Sequence, residues 1–268
     1  MSSLGLYPPH FTDDHLSLSP SVHPPTPAPA SGKKRDPVQP PSQESGGVPD
    51  PSPTYLVNAS LPPLQLAYPR KILVVIDLNG TLLYRPNKRT PHYFIERPYA
   101  RRFLSYCIDT FVVVIWSSAQ PKNVSKMCEQ LLTEEQREKV VAIWGREKFQ
   151  LANKDWGRRV MCYKRMNLLW KAEDIARRHP EWALGKTWSQ ADTVLIDDSP
   201  EKGRTEPYNI IPIPEFAGDM NSESSYILPQ VHDYLNECAR QVDISTYIRA
   251  SPFKPKPISM LHRQPSFA

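Results

Sequence analysis

Five residues, Asp77-Leu78-Asn79-Gly80-Thr81, place a carboxylate and a glycine turn directly after an apolar run that ends at Ile76. A carboxylate at the end of a buried strand is a common position for the reactive group of an α/β enzyme. Asp77 could therefore be a nucleophile that accepts a phosphoryl group. Asn79 stands where a second acid would handle the proton, and its amide cannot do so. The motif indicates phosphoryl chemistry with one acid–base group missing.

Polar side chains follow two other apolar runs as well, Ser117 and Ser118 after 111–116, and Asp197 and Asp198 after 193–196. Because the carboxyl ends of parallel strands meet at one edge of a sheet, we expect these groups to lie close to Asp77. Clustered carboxylates repel one another unless a hard cation lies among them, and Mg²⁺ prefers oxygen ligands. Asp77 and Asp198 are the predicted Mg²⁺ ligands. Taken singly, each aspartate could instead be a turn residue or a helix cap.

The elements that would position these groups alternate along the chain, which is typical of a parallel sheet. Apolar runs predict strands at 71–76, 111–116, 140–144 and 193–196. Helical spacing predicts helices at about 98–107, 122–132 and 166–178, a short one ending near 139, and a terminal one at 231–242. The sequence therefore predicts an α/β fold with a central parallel sheet.

The two ends of the chain differ in composition from its middle. Residues 1–66 hold 15 of the 30 prolines, and such a segment is expected to remain a disordered Pro/Ser-rich arm. A folded domain is predicted at 67–245, and a flexible tail at 246–268. Ser19-Pro20, Thr26-Pro27 and Ser52-Pro53 could accept phosphate from proline-directed kinases, and Lys33-Lys34-Arg35 could be a fragment of a nuclear-import signal. A solvated linker without these functions is the alternative.

Composition limits the classes of binding partner and the cellular compartments that are expected for this chain. A net charge of +5 over 268 residues is too small and dispersed to predict direct nucleic-acid binding. The four cysteines form no CxxC pair, and no apolar run approaches the roughly 20 residues of a membrane span. We therefore expect reduced thiols, no membrane span, and a location in the nucleus or cytoplasm.

The motifs resemble the haloacid dehalogenase superfamily, in the branch of the RNA polymerase II C-terminal-domain phosphatases and NLI-interacting-factor proteins. The resemblance covers about residues 70–217 and implies a three-layer Rossmann-like sandwich. Asp-Leu-Asn-Gly-Thr is similar to a variant found in many ascomycete fungal proteins. The four signatures of the branch correspond to 77–81, Trp116-Ser117-Ser118, Lys164 within 163–166, and Ile196-Asp197-Asp198-Ser199-Pro200.

The resemblance implies a role for each matching residue. Asp77 would attack phosphorus and form an aspartyl-phosphate, and Mg²⁺ would be bound by Asp77, Asp198 and the backbone carbonyl of Asn79. Asp197 would support this site from nearby. The residues that would bind the phosphoryl group are Gly80, Thr81, Ser117, Ser118 and Lys164. Ser118 is an alternative to Ser117 as the hydroxyl that contacts the phosphoryl group, and Lys154, Lys171 and Lys186 are alternatives to Lys164.

The family residue at position 79 is an Asp that protonates the leaving alkoxide and then deprotonates water. General acid–base catalysis is worth roughly 10²–10⁴-fold, so hydrolysis of a serine or threonine phosphate should be slow. Forty residues separate Asp77 from Ser117 and leave no room for a large cap domain. An uncapped site can admit a protein loop, which favours a phosphorylated protein or peptide as substrate.

Two further functions remain open on the sequence. One is a non-catalytic binding module similar to the receptor subunit of the mitochondrial presequence translocase, which would imply a mitochondrial location. Retention of Asp77 and Asp198 argues against it. The other is a phosphotransferase that passes the aspartyl-phosphate onward. The oligomeric state is not predicted.

Overall fold

A computed structural model describes residues 37–87, 90 and 93–257. Five parallel strands form the central sheet in the order β5-β4-β1-β6-β7, and β2 and β3 form a separate antiparallel hairpin. The strands are β1 Leu73–Ile76, β2 Leu83–Tyr84, β3 Ile95–Glu96, β4 Val112–Trp116, β5 Ala142–Trp144, β6 Thr193–Asp197 and β7 Ile210–Pro212. The predicted α/β fold with a parallel sheet is confirmed.

Helices cover both faces of this sheet, which gives three layers. The helices are α1 Pro53–Ala59, α2 Ala100–Thr110, α3 Pro121–Leu131, α4 Glu134–Lys139, α5 Asn153–Trp156, α6 Met166–Lys171, α7 Glu173–Ala176, α8 Leu228–Cys238 and α9 Ile244–Ala250. In the described ranges, no helix has the length and apolarity needed to cross a bilayer.

Alternation along β1 divides the core between the two faces, as the two-residue period of a strand requires. Val74 and Ile76 pack with α2, α3, α8 and α9, whereas Leu73 and Val75 pack with α6 and α7. The strand is buried on both sides, which explains its uninterrupted apolar sequence. It is the central strand of the sheet, with β4 on one side and β6 on the other.

Residues 37–66 are part of the folded unit, so the expected boundary at residue 66 is wrong. Tyr55 of α1 is buried, donates a hydrogen bond to Asn209 Oδ1 at 2.9 Å and accepts one from the Tyr208 amide at 2.8 Å. Ser45 is also buried. The segment buries these side chains against the domain rather than within itself, which its Pro-rich composition does not reveal. The expected arm at 1–36, with Ser19, Thr26 and the Lys33–Arg35 run, lies outside the described residues.

The boundary expected at residue 245 also needs correction. Helix α9 continues to Ala250, and Phe253 is buried in the same core cluster as α8. Gln230 of α8 exchanges two hydrogen bonds with the backbone of Lys256, at 2.8 and 2.9 Å. The domain therefore includes residues up to about 256, and the expected tail beyond 257 lies outside the described residues.

The predicted helix over 166–178 is interrupted at Ala172, which has an extended backbone conformation between α6 and α7. Leu169 and Ile175 are both fully buried in one cluster. Six residues apart on a continuous helix, they would point about 120° away from each other. The break allows both side chains to face the sheet.

Candidate active site

Three neighbouring strands bring the predicted polar groups to one edge of the sheet. Ile76 lies opposite Ile115 of β4 and Ile196 of β6. Asp77 directly follows β1, Asp197 is the last residue of β6, and Ser117 directly follows β4, so all three lie at the same edge of the sheet. This is the point where the chain changes direction across the sheet, the usual ligand site of an open α/β fold. The juxtaposition predicted from the sequence is present.

Lys164 is completely buried between two carboxylates. Its ammonium lies 2.8 Å from Asp77 Oδ1 and 2.6 Å from Asp197 Oδ2. The backbone amide of Lys164 donates to the carbonyl of Lys202 at 2.7 Å, which fixes the loop before α6 against the turn after β6. The structure thus selects Lys164 over the lysines at 154, 171 and 186, none of which makes an ion pair with Asp77 or Asp197.

Lys202 is a second lysine at the site, and the sequence analysis missed it. Its Nζ lies 2.8 Å from Asp197 Oδ1, 3.2 Å from Asp198 Oδ1 and 3.5 Å from Asp77 Oδ2. It belongs to a short 3₁₀ turn, Pro200–Gly203, that starts directly after the strand-end aspartates. The signal in the sequence was the spacing of four residues between Asp198 and Lys202, because side chains about one helical turn apart lie on the same side of a helical segment.

The two adjacent aspartates at the end of β6 have opposite electrostatic environments. Burial would raise the pKa of Asp197, but the ammonium groups of Lys164 and Lys202 hold that pKa at about 2. Burial and the charges of Asp77 and Asp197 raise the pKa of Asp198 to about 7, although Lys202 acts in the other direction. Asp197 is thus stabilised as a carboxylate by the two lysines. For Asp198, the positive charge of Lys202 does not offset the effects of burial and of the two neighbouring carboxylates.

Gly80 allows the Asp198 carboxylate to approach the turn after β1. Its φ is +90°, and a Cβ at this position would lie 2.7 Å from Asp198 Oδ2. The Gly80 carbonyl accepts hydrogen bonds from Phe216 N and from the buried guanidinium of Arg97. Thr81 is buried, and its hydroxyl has no hydrogen-bond partner within the described part of the chain. Gly80 and Thr81 lie beneath the cleft and do not line it.

Asn79, Ser117 and Ser118 line the open side of the site together with Asp77. Asn79 Oδ1 accepts a hydrogen bond from the Arg85 amide at 2.9 Å. Ser117 Oγ accepts only a long bond of 3.4 Å from the Ala119 amide. The N-cap of α3 is Gln120, so Ser117 is not that helix's cap and its hydroxyl can donate to a ligand.

The oxygen-rich donor set fits a hard divalent cation. Oxygens of Asp77, Asp197 and Asp198 come within 4.8 Å of one another. Lysine ammonium groups lie within 2.8 Å of both Asp197 oxygens, whereas Asp77 Oδ2 and Asp198 Oδ1 are 3.5 and 3.2 Å from Lys202, which leaves Asp77 and Asp198 as the better ligands. The residues fit Mg²⁺.

A cleft of about 620 Å³ opens above this cluster. One wall comes from 156–162 and includes Arg158 and Arg159. Val38 of the N-terminal segment reaches the same wall. Between β1 and β4, the described residues add only the β2–β3 hairpin and α2, with no cap domain over the cleft.

At this site, the central strand of a parallel sheet ends in an aspartate that lies beside a buried lysine and a pair of aspartates. The model of the NLI interacting factor-like phosphatase family matches residues 72–245 of this chain. The chain belongs to that family. The resemblance to NLI-interacting-factor phosphatases seen in the sequence motifs is therefore confirmed.

A curated relative agrees with this assignment. The chain is 34% identical over 220 residues, 77% of its length and 86% of the relative, to an uncharacterised FCP1 homology domain-containing protein of Schizosaccharomyces pombe. Among solved structures, it is similar to a haloacid dehalogenase-like hydrolase from Streptococcus pneumoniae, with 12% identity, a TM-score of 0.36, and coverage of 62% of this chain and 98% of that one. The beryllium fluoride complex of a fission yeast RNA polymerase II CTD phosphatase Fcp1 variant has 9% identity, a TM-score of 0.33, and coverage of 63% and 52%.

Proposed function

We propose that this chain is an Mg²⁺-dependent phosphatase for phosphoserine or phosphothreonine in proteins, acting slowly through an aspartyl-phosphate on Asp77. An oxygen of Asp77 would attack phosphorus as the bond to the serine or threonine oxygen breaks. Water would then hydrolyse the aspartyl-phosphate and release inorganic phosphate. The alternative is a phosphatase-like binding module that performs neither step.

The main support is the position of the Asp77 carboxylate. It lies at the floor of the cleft, with one oxygen 2.8 Å from Lys164 Nζ and the other 3.5 Å from Lys202 Nζ. The two ion pairs orient the carboxylate at the site where nucleophilic attack on phosphorus would take place. A binding module without catalysis has no need for this arrangement.

A Mg²⁺ ion bound by Asp77, Asp198 and the Asn79 carbonyl would neutralise negative charge on the phosphoryl oxygens. The side chains of the chain itself would bind and orient the phosphoryl group. Lys164 would contact the phosphoryl group as well as Asp77, and the Ser117 hydroxyl would donate a hydrogen bond to a phosphoryl oxygen. Ser118 also faces the cleft and is the alternative donor.

The preference for a protein substrate rests on the open cleft. Small-metabolite enzymes commonly close a lid to exclude water, and a cleft bordered only by the hairpin and the 156–162 wall can accept an extended peptide. We expect a phosphorylated peptide to be a better substrate than a sugar phosphate, measured as kcat/KM. Equal or reversed values would remove the assignment to phosphoproteins.

An aryl phosphate tests the mechanism, because its good leaving group departs with little need of a proton. With Mg²⁺ present, we expect a rapid burst of about one phenolate per protein molecule, followed by slow steady release. Rapid acid quench and mass spectrometry should find the phosphate on Asp77. Asp77→Asn keeps the size of the side chain and should abolish the burst.

The same assay separates the two functions. If the wild-type chain gives no burst with Mg²⁺ and behaves like Asp77→Asn, the phosphatase is excluded and the binding module remains. If a phosphorylated protein accumulates and passes its phosphate to an acceptor other than water, the chain is a phosphotransferase.

A further inference from the structure

Arg85 has buried nitrogen atoms that nothing in the described structure accounts for. Its Nε and NH1 atoms are shielded from solvent and have no hydrogen-bond partner within residues 37–87, 90 and 93–257. Arg85 as a whole is half-buried, and shielding two polar atoms without a hydrogen-bond partner costs free energy of folding. Burial also lowers the pKa of this guanidinium from its ordinary value. An arginine held in this way indicates a binding site for an anion.

The position of Arg85 identifies which anion. Arg85 lines the same cleft as Asp77, Ser117 and Asp198, immediately after β2. Arg97, whose Nε and NH1 are also unpaired, differs because it does not line the cleft and stacks on Phe216. A ligand in the cleft can therefore reach Arg85 but not Arg97.

The Arg85 backbone also orients Asn79. Its amide donates to Asn79 Oδ1, so the amide NH₂ of Asn79 is the part left for a ligand in the cleft. Near Asp77, this chain thus presents hydrogen-bond donors, the Asn79 amide and the Arg85 guanidinium, in place of an acid. Donors of this kind bind phosphoryl oxygens and transfer no proton.

We propose that Arg85, which lines the cleft, binds the phosphoryl group of the substrate through its guanidinium group. The inference rests on the proposed function for the identity of the substrate, but it concerns binding of a phosphate anion and requires no turnover. Arg85, in the turn after β2, is therefore assigned as a substrate-binding residue.

Binding of inorganic phosphate, in the presence of Mg²⁺, tests the inference on the full chain by calorimetry. Arg85→Met should weaken phosphate binding roughly tenfold or more, the effect expected for one charged hydrogen bond. Arg85→Lys keeps the charge without the planar pair of donors, so its affinity for phosphate should lie between that of the wild type and that of Arg85→Met. Arg178→Met, at the opposite edge of the sheet beside Val112, removes the same charge and should leave the affinity unchanged.

Stability provides a readout that a merely structural arginine would not give. Because the Nε and NH1 atoms are unpaired, Arg85→Met should keep or raise the Tm of the free protein. Saturating phosphate should raise the Tm of the wild-type chain more than that of the variant. A lower Tm with unchanged phosphate affinity would overturn the inference and make Arg85 a structural residue.

Kinetics distinguish the transferred phosphate from a second acidic group on the substrate. An aryl phosphate has a single anionic group, so Arg85→Met should raise its KM roughly tenfold. A KM that rises only for peptides with a further acidic residue would overturn the inference. If the wild-type protein binds phosphate through Arg85 but shows no burst, the proposed function fails while this inference stands. If Arg85→Met has normal turnover and normal phosphate binding, this inference fails while the proposed function stands.

Discussion

Asn79 and Gly80 are neighbours in one turn, but they affect different properties of the candidate site. Asn79 lines the cleft, where the proposed mechanism would need an acid for the leaving group. Gly80 lies beneath the cleft and bears on how closely Asp198 can approach. The sequence shows Asn79 in place of an acid and Gly80 as part of a turn, and the structure separates their effects.

Replacing Asn79 by Asp should restore the missing acid and base. We expect steady-state turnover of a phosphoserine peptide to rise by roughly 10²-fold or more, within the range of general acid–base catalysis. The burst with an aryl phosphate should change less, since its leaving group needs little protonation. Asn79→Gln is the matched control without a carboxyl and should give no increase. Equal gains for both variants would contradict the role assigned to position 79.

Replacing Gly80 by Ala should displace the Asp198 carboxylate. The new Cβ would lie 2.7 Å from Asp198 Oδ2, at a φ of +90°. The positive φ alone costs about 1–3 kcal/mol of unfolding free energy. Gly185→Ala is the matched control, because its φ is +79° and no atom lies within 4 Å of the added Cβ. Calorimetric titration with Mg²⁺ should show weaker binding for Gly80→Ala only.

At the scale of elements, the site depends on two connecting segments as much as on the strands. Strand ends place Asp77 and Asp197, whereas Lys164 lies in the loop before α6 and Lys202 in the turn after β6. One ion-pair network and the bond from the Lys164 amide to the Lys202 carbonyl join them. The strands were predictable from apolar runs, but the network was not, because it joins residues distant in the sequence.

Replacing Lys164 by Met tests how much this network stabilises the domain. Two buried carboxylates, Asp77 and Asp197, would lose one of the two lysines that they share, and breaking a buried pair costs about 3–5 kcal/mol. Urea unfolding should show this loss. Adding Asp197→Asn removes one of the carboxylates that would then share Lys202 alone and should recover part of it. A loss below about 1 kcal/mol would mean that solvent compensates these carboxylates.

At the scale of the whole molecule, the segment from 37 to 60 extends along the domain and reaches the active-site wall. Gln39 pairs with Val160 as a short parallel bridge, and Val38 lines the cleft. Ser42 and Ser45 each donate a 2.6 Å hydrogen bond to Asp155 Oδ2. Helix α1 packs against α9. The segment therefore connects the 156–162 wall to the far side of the domain.

Acid should detach this segment at its attachment to Asp155. Hydrogen bonds from Ser42 and Ser45 lower the pKa of Asp155 to about 2. The lowered pKa contributes stability above the unfolded value of about 4, and this stability is lost as pH falls towards 2. The protection of the amides of residues 39–47, measured relative to the intrinsic exchange rate at each pH, should decrease in that window.

Asp155→Asn should bring this loss of protection to neutral pH. Glu44→Gln is the matched control in the same segment. It removes only an exposed ion pair with Lys154, which is worth at most about 1 kcal/mol, so exchange should stay close to the wild type. Identical exchange in Asp155→Asn and the wild type would show that other contacts hold the segment.

Asn79 stands out by comparison with the family motif, whereas the sequence by itself determined the parallel sheet and the edge at which Asp77, Ser117 and Asp198 meet. These features follow from local rules, since strand periodicity and strand ends are encoded by neighbouring residues. Tertiary structure alone decided the positions of Lys202 and Arg85, the break between α6 and α7, and the folding of residues 37–66. Each of these depends on burial against residues far away in the chain, which composition and spacing do not report.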